Sequence, residues 1–83
     1  MIAPIQVRMA RAALGISAKD LAKLAKVGEA TVLRFERNEG RFFARTAEKI
    51  QAALEKKGIV FLGADEQKPG GPGIRWAKKK QQR

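Results

Sequence analysis

The chain has 83 residues and a mass of 9.1 kDa, which is enough for one small domain with a marginal core. It contains no Cys, no His and no Tyr, so disulfides, thiolate and imidazole metal sites, and histidine acid–base chemistry are excluded. Domains of this size often gain stability from disulfides, metals or a second chain. Since the first two are excluded, self-association remains, and we expect a homodimer.

The charge balance points to an anionic partner. Eighteen Lys and Arg residues against eight Asp and Glu residues give a formal net charge of +10. Solubility alone needs far less charge, so we rank nucleic acid first among the partners. No apolar run is long enough to cross a membrane and the N-terminus does not resemble a signal peptide, so we expect a cytoplasmic, nucleoid-associated protein with no membrane partner.

Two helices are predicted in the first part of the chain. Pro4 suits a first helical turn, and Gly15 ends the helix that follows it. Ser17 is a good N-cap for a second helix, in which Leu21, Leu24 and Ala25 are expected to form an apolar stripe.

Two further helices and a β element follow. After the turn at Gly28 we predict a third helix over residues 29–37, and then a fourth over residues 44–57 with Gly58 as its left-handed cap. The apolar runs 59–62 and 74–77 are predicted to be strands. The sequence therefore predicts a helix-turn-helix domain over 1–57, a β extension over 58–77 that mediates dimerisation, and a basic disordered tail over 78–83.

The second and third helices have the spacing of a helix-turn-helix, in which the second member of the pair protrudes. Such a helix fits the major groove of DNA, where each base pair presents a distinct pattern of donors and acceptors. A small helical bundle with a solvated charged face has the same spacing, because such helical corners are common.

The residues of this region resemble the Cro and phage-repressor (XRE) type of helix-turn-helix. The resemblance covers roughly residues 5–57 and rests on four stretches: Ala10-Arg11-Ala12-Ala13-Leu14-Gly15-Ile16-Ser17, Leu21-Ala22, Val27 with Ala30-Thr31-Val32, and Phe35-Glu36-Arg37. It implies a mainly α, four- to five-helix lambda-repressor-like fold with a short C-terminal β element. It also implies a transcriptional regulator, a repressor or autoregulator, that binds a near-palindromic double-stranded DNA operator as a homodimer.

The resemblance assigns base contacts to the third helix, at Glu29, Ala30, Leu33 and Arg34. The Arg34 guanidinium can donate to both N7 and O6 of a guanine, although a phosphate contact is nearly as plausible. Glu29 can accept a hydrogen bond from a cytosine amine. Alternatively, its negative charge simply stabilises the helix by interacting with the positive N-terminal end of the helix dipole. Ala30 and Leu33 offer only apolar contact, for example to a thymine methyl group.

Phosphate contacts are expected on both sides of that helix. The candidates are Ser17, Lys19, Thr31, Arg37, Asn38 and Arg41. Many family members carry Gln after the Ser that starts the second helix, and this chain has Ala18 there, so the bracing amide is missing. The family also pairs an Arg of the first helix with a Glu of the third, which implies a structural role for Arg11 and Glu36.

Self-association is assigned to the strands. Both faces of the run 59–62 are apolar and a small helical core covers only one of them, so we expect Val60, Leu62 and Trp76 to form the dimer interface. An interface through the fourth helix is the alternative.

Three other function classes fit the sequence less well. An antitoxin, which binds a toxin protein and represses its own operon, is the strongest alternative, with the segment after residue 58 contacting the toxin. An RNA-binding protein is less favoured because no aromatic pair is spaced for base stacking. An enzyme is not expected, because no two carboxylates lie together in an apolar cleft and the run from Gly70 to Gly73 does not follow the pattern of a phosphate-binding loop.

Overall fold

The computed structural model describes residues 2–39, 44–63 and 70–77. Four helices come first: α1 (Pro4–Leu14), α2 (Ala18–Ala25), α3 (Glu29–Glu36) and α4 (Ala44–Lys56). Two strands, β1 (Ile59–Leu62) and β2 (Gly73–Trp76), follow and pair antiparallel. The mainly helical fold with a short β element, expected from the sequence, is confirmed. None of the described helices is long and apolar enough to cross a membrane.

Local signals in the sequence set the ends of α1 and α2. Pro4 is the first residue of α1, and Gly15 follows its end with a φ of +69°, so the amides of Gly15 and Ile16 bond back to Ala12 and Arg11. Ser17 caps α2, as predicted. The sequence places a short turn at residues 26–28, and α2 indeed ends at Ala25. The left-handed conformation of Lys26 in this turn, with a φ of 59°, was not predicted.

The core lies among all four helices and the hairpin. Its largest fully buried side chains are Phe35, Leu21, Ile50, Leu54, Ile59, Val7 and Val32. Because α2 packs against both α3 and α4, the helix-turn-helix pair is held from one side and keeps its other side in solvent. The strand β1 contributes Ile59 to this same core.

Leu24 departs from the sequence prediction. It is 41% exposed, whereas the buried residues of α2 are Ala18, Leu21, Ala22 and Ala25. Those four are spaced by three and four residues and form one face, and Leu24 lies roughly 110° from its centre at 3.6 residues per turn. The predicted apolar stripe of α2 is therefore correct in part, with Leu24 outside it.

The hairpin differs from its prediction by one residue in the second strand, which spans Gly73–Trp76 rather than 74–77. Its register pairs Ile59 with Trp76, Phe61 with Ile74, Val60 with Arg75, and Leu62 with Gly73. Directly opposed residues of an antiparallel pair share a face. The inner face therefore carries Ile59, Phe61, Ile74 and Trp76, and the outer face carries Val60, Leu62 and Arg75.

Candidate DNA-binding surface

The two sides of α3 have different environments. Val32, Phe35 and Glu36 are buried against the rest of the domain. Glu29, Ala30 and Arg34 are exposed. With 3.6 residues per turn, Ala30 and Arg34 lie one above the other, opposite the buried side, whereas Glu29 is exposed at the first position of the helix, roughly 100° around it from Ala30. The face of Ala30 and Arg34 is free to enter a groove while the other side holds the helix in place.

An ion pair fixes the far end of α3 to α1. Nε of Arg11 donates to Oε2 of Glu36 at 2.6 Å, and Nη2 donates to Oε1 at 2.9 Å. The Glu36 side chain is only 4% exposed, and Nη1 of Arg11 also donates to the carbonyl of Ile16 at 3.2 Å. Hydrogen bonding to the Glu36 carboxylate raises the pKa of Arg11, partly offset by burial. The fork geometry fixes both the distance and the rotation of α3 relative to α1.

The C-terminal end of α3 is closed by backbone hydrogen bonds. Asn38 adopts a φ of 55°, its amide donates to the carbonyl of Phe35 at 3.0 Å, and the amide of Glu39 donates to that of Arg34 at 2.9 Å. Asn tolerates this left-handed position better than most residues. Nε of Arg37 lies 3.9 Å from the Glu39 carboxylate, with both side chains 56% exposed. Such a pair is weak, so the Arg37 guanidinium can exchange Glu39 for another anion.

The start of α2 forms a closed capping box beside α3. Oγ of Ser17 accepts from the amide of Asp20 at 3.0 Å, and Oδ2 of Asp20 accepts from the amide of Ser17 at 3.1 Å. Two hydrogen bonds to the Asp20 carboxylate lower the pKa of Asp20: the larger cause is the bond from the backbone amide of Ser17, and the smaller is the bond with the Ser17 side chain. The first-turn amides of Ala18 and Lys19 lack partners within the helix, as at every helix start. They offer donors to a phosphate, although the Asp20 carboxylate occupies part of the same region.

The structure separates the four base-contact candidates. Glu29, Ala30 and Arg34 are exposed, whereas Leu33 is half-buried and packs against the core. Leu33 therefore presents only part of its side chain to a groove.

The phosphate candidates precede and follow α3 in the chain, on the two segments that we call its flanks: the start of α2 and the residues after α3. Ser17, Lys19, Arg37 and Asn38 are exposed, and Thr31, in the first turn of α3, is half-buried. Arg41 lies outside the described residues. The exposed candidates offer hydroxyl, amide and cationic donors.

The dimer candidates divide between the two faces of the hairpin. Val60 and Leu62 are half-buried on the outer face, beside the exposed Arg75. Trp76 lies on the inner face, opposite Ile59, and is 41% exposed. The three residues therefore do not form one continuous surface on a single side of the sheet.

Gln6 was missed by the sequence analysis. It is buried, and its Nε2 donates to the carbonyls of Leu62 at 2.9 Å and Gly73 at 2.8 Å, while its Oε1 accepts from the amide of Ala3 at 2.7 Å. One side chain thus joins the start of α1 to the end of the hairpin from which its connecting loop leaves. The only local signal was a Gln three residues into the first helix, which is typical of a capping box.

Among the residues that the structure describes, no group of Asp and Glu side chains is placed to hold a metal ion. The chemistry available on the exposed face of α3 and its flanks is hydrogen bonding and charge pairing with an anionic partner.

Comparison with known protein families identifies this arrangement. A family model described as helix-turn-helix matches residues 7–61, which is most of the chain and includes most of α1 and the whole of α2, α3 and α4. No curated protein is significantly similar to the chain. The matched residues include the Arg11–Glu36 pair, the two helices α2 and α3, and part of β1. The chain belongs to the Cro/C1-type (XRE) helix-turn-helix family of DNA-binding regulators.

Proposed function

We propose that the chain is a sequence-specific regulator that binds a near-palindromic operator as a homodimer, with α3 in the major groove, and represses transcription there, including that of its own gene. The observation that carries this proposal is the exposed face of Ala30 and Arg34, with Glu29 exposed at the start of the helix, on a helix whose other side is buried. A rigid helix that presents side chains of fixed position can discriminate between base edges. Such a regulator acts where the chromosome lies, which is the cytoplasmic nucleoid.

Arg34 is the principal base-reading residue in this proposal. It lies in the second turn of α3, it is exposed, and its backbone is fixed because its carbonyl accepts from Glu39. Its planar fork matches the N7 and O6 acceptors of guanine in the major groove. Ala30, one turn earlier on the same face, is small enough to let α3 approach the bases and to contact a thymine methyl group.

Glu29 and Leu33 have narrower roles. Glu29 is exposed at the first position of α3, where its carboxylate can accept a hydrogen bond from a cytosine amine. The same carboxylate disfavours sequences that place an acceptor opposite it. Leu33 contributes the exposed part of a side chain that otherwise packs on the core.

Phosphate contacts are proposed on both flanks of α3. On the α2 side, Ser17 and Lys19 provide a hydroxyl, a cation and the first-turn amides. On the other side, Arg37 and Asn38 follow α3, and we extend this group to Arg41. Thr31 completes the set from the first turn of α3. These contacts orient the helix and carry no sequence information.

The homodimer is proposed to form through the hairpin. Val60 and Leu62 give its outer face two apolar side chains, and strands at the edge of a sheet invite pairing with another chain. A two-fold contact closes on itself and fixes the distance between the two copies of α3. We include Trp76 in this interface because its exposed part offers a large aromatic surface at the end of β2.

Selection of binding sites from random duplex DNA tests the function. We expect the purified chain to enrich an inverted repeat with half-site centres roughly 34 Å apart, and to bind it as two chains per site. The logarithm of the affinity should fall with the logarithm of the salt concentration, by about 0.9 for each phosphate contacted. Enrichment of no sequence, or of a single site without a repeat, would contradict the proposal.

Charged substitutions test the dimer. The double variant Val60→Lys/Leu62→Lys should sediment as a folded monomer and lose cooperative binding to the two half-sites. The control is Leu24→Lys, which places one such charge on an exposed apolar residue outside the hairpin. If the hairpin variant remains a dimer of unchanged affinity, the interface lies elsewhere.

An antitoxin is the second function that the structure favours, for one reason. The outer face of the hairpin is apolar at Val60 and Leu62, and an unrelated protein can cover such a face as well as a second copy can. Expression with the neighbouring genes distinguishes the two. A stable complex with a small second protein, released by Val60→Lys/Leu62→Lys, would support the antitoxin, whereas a homodimer alone supports the regulator.

A further inference from the structure

The carboxamide of Gln6 is held in one orientation. Gln6 is buried at the third position of α1, where its Oε1 accepts from the amide of Ala3 at 2.7 Å. Its Nε2 donates to the carbonyls of Leu62 at 2.9 Å and Gly73 at 2.8 Å. A flipped carboxamide would place a donor against the Ala3 amide and an acceptor against two carbonyls, so it is excluded. Gln6 therefore binds the hairpin in a single geometry.

The hairpin is attached to the helices at both of its ends. At one end β1 follows α4 after Gly58, and the amide of Ala77 donates to the Gly58 carbonyl at 2.7 Å. At the other end Gln6 donates to both strands, because Leu62 and Gly73 are paired across the sheet. The two attachments are about 10 Å apart along the strands, at about 3.3 Å per residue. Together they define the tilt of the hairpin against the helices.

Apolar packing between the two attachments defines this tilt less sharply. Phe61 and Ile74 are half-buried and pack against the core. The hydrophobic effect has no preferred direction, whereas a hydrogen bond weakens steeply as its angle departs from linearity. The two bonds from Gln6 therefore fix the direction in which the outer face of the hairpin points.

Helix α1 connects the hairpin to α3. Arg11 lies five residues after Gln6 on this helix and forms the bidentate pair with Glu36 of α3. One helix is thus bonded to α3 through Arg11 and to the hairpin through Gln6. The orientation of the hairpin relative to α3 is set through α1.

We propose that Gln6 is a positioning residue for operator recognition. By fixing the hairpin against α1, it sets the separation of the two copies of α3 in the homodimer, and hence the half-site spacing that the dimer accepts. This inference rests on the proposed function, because it requires the hairpin dimer and two half-sites.

The geometry of the dimer gives the size of the effect. Half-site centres roughly 34 Å apart place each copy of α3 about 17 Å from the two-fold axis. A tilt of the hairpin by about 10° then moves each copy by up to about 3 Å, which is close to the rise of one base pair, about 3.4 Å. A small change at Gln6 is therefore large enough to change the preferred spacing.

Duplexes that carry two half-sites at different spacings test the role of Gln6. We expect the parent chain to prefer one spacing over those one base pair shorter or longer. Two hydrogen bonds together account for about a tenfold preference, so Gln6→Met should reduce that ratio about tenfold. The affinity for a single half-site should stay within about twofold of the parent, because the variant leaves the exposed face of α3 unchanged.

Gln6→Glu separates the hairpin bonds from the start of α1. Its carboxylate can still accept from the amide of Ala3, so α1 remains capped, but it cannot donate to the carbonyls of Leu62 and Gly73. Because both variants lose the hairpin bonds, both should lose the spacing preference. A loss in Gln6→Met alone would assign the effect to the start of α1 and overturn the proposal.

Two controls separate positioning from general stability. Gln51→Met makes the same change at a half-buried glutamine whose Nε2 donates to Glu55 of its own helix, and it should keep the parent's spacing preference. Ile50→Val lowers the melting temperature through the core and leaves the Gln6 bonds in place, so it should keep the preference too. If Ile50→Val loses the preference as Gln6→Met does, stability explains the loss and the proposal is wrong.

The parent chain in the same experiment keeps this inference apart from the proposed function. A parent that does not bind paired half-sites as two chains would contradict the proposed function, and the inference with it. A parent with a clear spacing preference that both Gln6→Met and Gln6→Glu retain would overturn the inference alone.

Discussion

The two sides of α3 have different environments, one within the fold and the other open to a partner. The inner side is fixed by Val32 and Phe35, both fully buried, and by the bidentate pair between Glu36 and Arg11. The outer side carries Ala30 and Arg34 in solvent, and Glu29 is exposed at the first position of the helix. Substitutions on the inner side should therefore change stability, whereas those on the outer side should change binding and leave the fold intact.

The largest expected effect on stability comes from Arg11→Ala. It leaves the Glu36 carboxylate buried without its guanidinium partner, and breaking such a pair costs about 3 kcal/mol, near the lower bound because Arg11 is itself 23% exposed. Urea unfolding measures the loss. Arg8→Ala, at an exposed arginine of the same helix, should change stability by less than about 0.5 kcal/mol. Equal effects from the two variants would show that the pair does not anchor α3.

A smaller effect of opposite sign is expected in the turn that leads from α2 to α3. Lys26 holds a φ of 59°, which glycine adopts without the steric cost that a side chain incurs. Lys26→Gly should therefore stabilise the domain by about 1 kcal/mol in thermal unfolding. Lys23→Gly makes the same chemical change inside α2 and should destabilise by about 1 kcal/mol. If both variants destabilise, the left-handed turn is not strained.

The smallest effect concerns pH and the start of α2. The pKa of Asp20 is lowered in the folded chain, so the ionised carboxylate stabilises the fold. This contribution is fully present when the pH is above the ordinary pKa of 3.8. It is lost as the pH falls through the lower pKa of the folded chain. The parent should lose more stability than Asp20→Asn between about pH 6 and about pH 3, measured by thermal unfolding. Parallel losses in the two proteins would show that the capping box contributes nothing to acid sensitivity.

Most of the helical framework could be predicted from sequence because its signals are local. Ser17, Gly15 and Gly58 define helix ends through their own backbone or side-chain preferences, and the apolar spacing defined the buried faces. The resemblance to the Cro/C1 type supplied what spacing alone could not, namely the expectation that the partner of the protruding helix is DNA. The family match over residues 7–61 then confirmed the fold and the class of protein.

The features that escaped prediction depend on distant parts of the chain. Gln6 bonds to the carbonyls of Leu62 and Gly73, which lie 56 and 67 residues away in sequence. The face on which Trp76 lies is set by the strand register, which no residue of β2 specifies by itself. Lys26 takes a left-handed conformation at a residue that has no intrinsic preference for it, while the next residue, Val27, turns to pack against the core.

The central claim is that the outer side of α3 contacts bases while its flanks contact phosphates. The most direct test compares alanine variants of two cationic residues, Arg34 and Lys19, on a set of operator sequences. Parent, Arg34→Ala and Lys19→Ala would be titrated against the selected operator and against every single base-pair change in one half-site. We predict that Arg34→Ala loses about 1–3 kcal/mol on the operator and stops discriminating at one base pair. Lys19→Ala should weaken all sequences alike and reduce the salt dependence. If Arg34→Ala also weakens every sequence equally, Arg34 contacts phosphate and the claim is wrong.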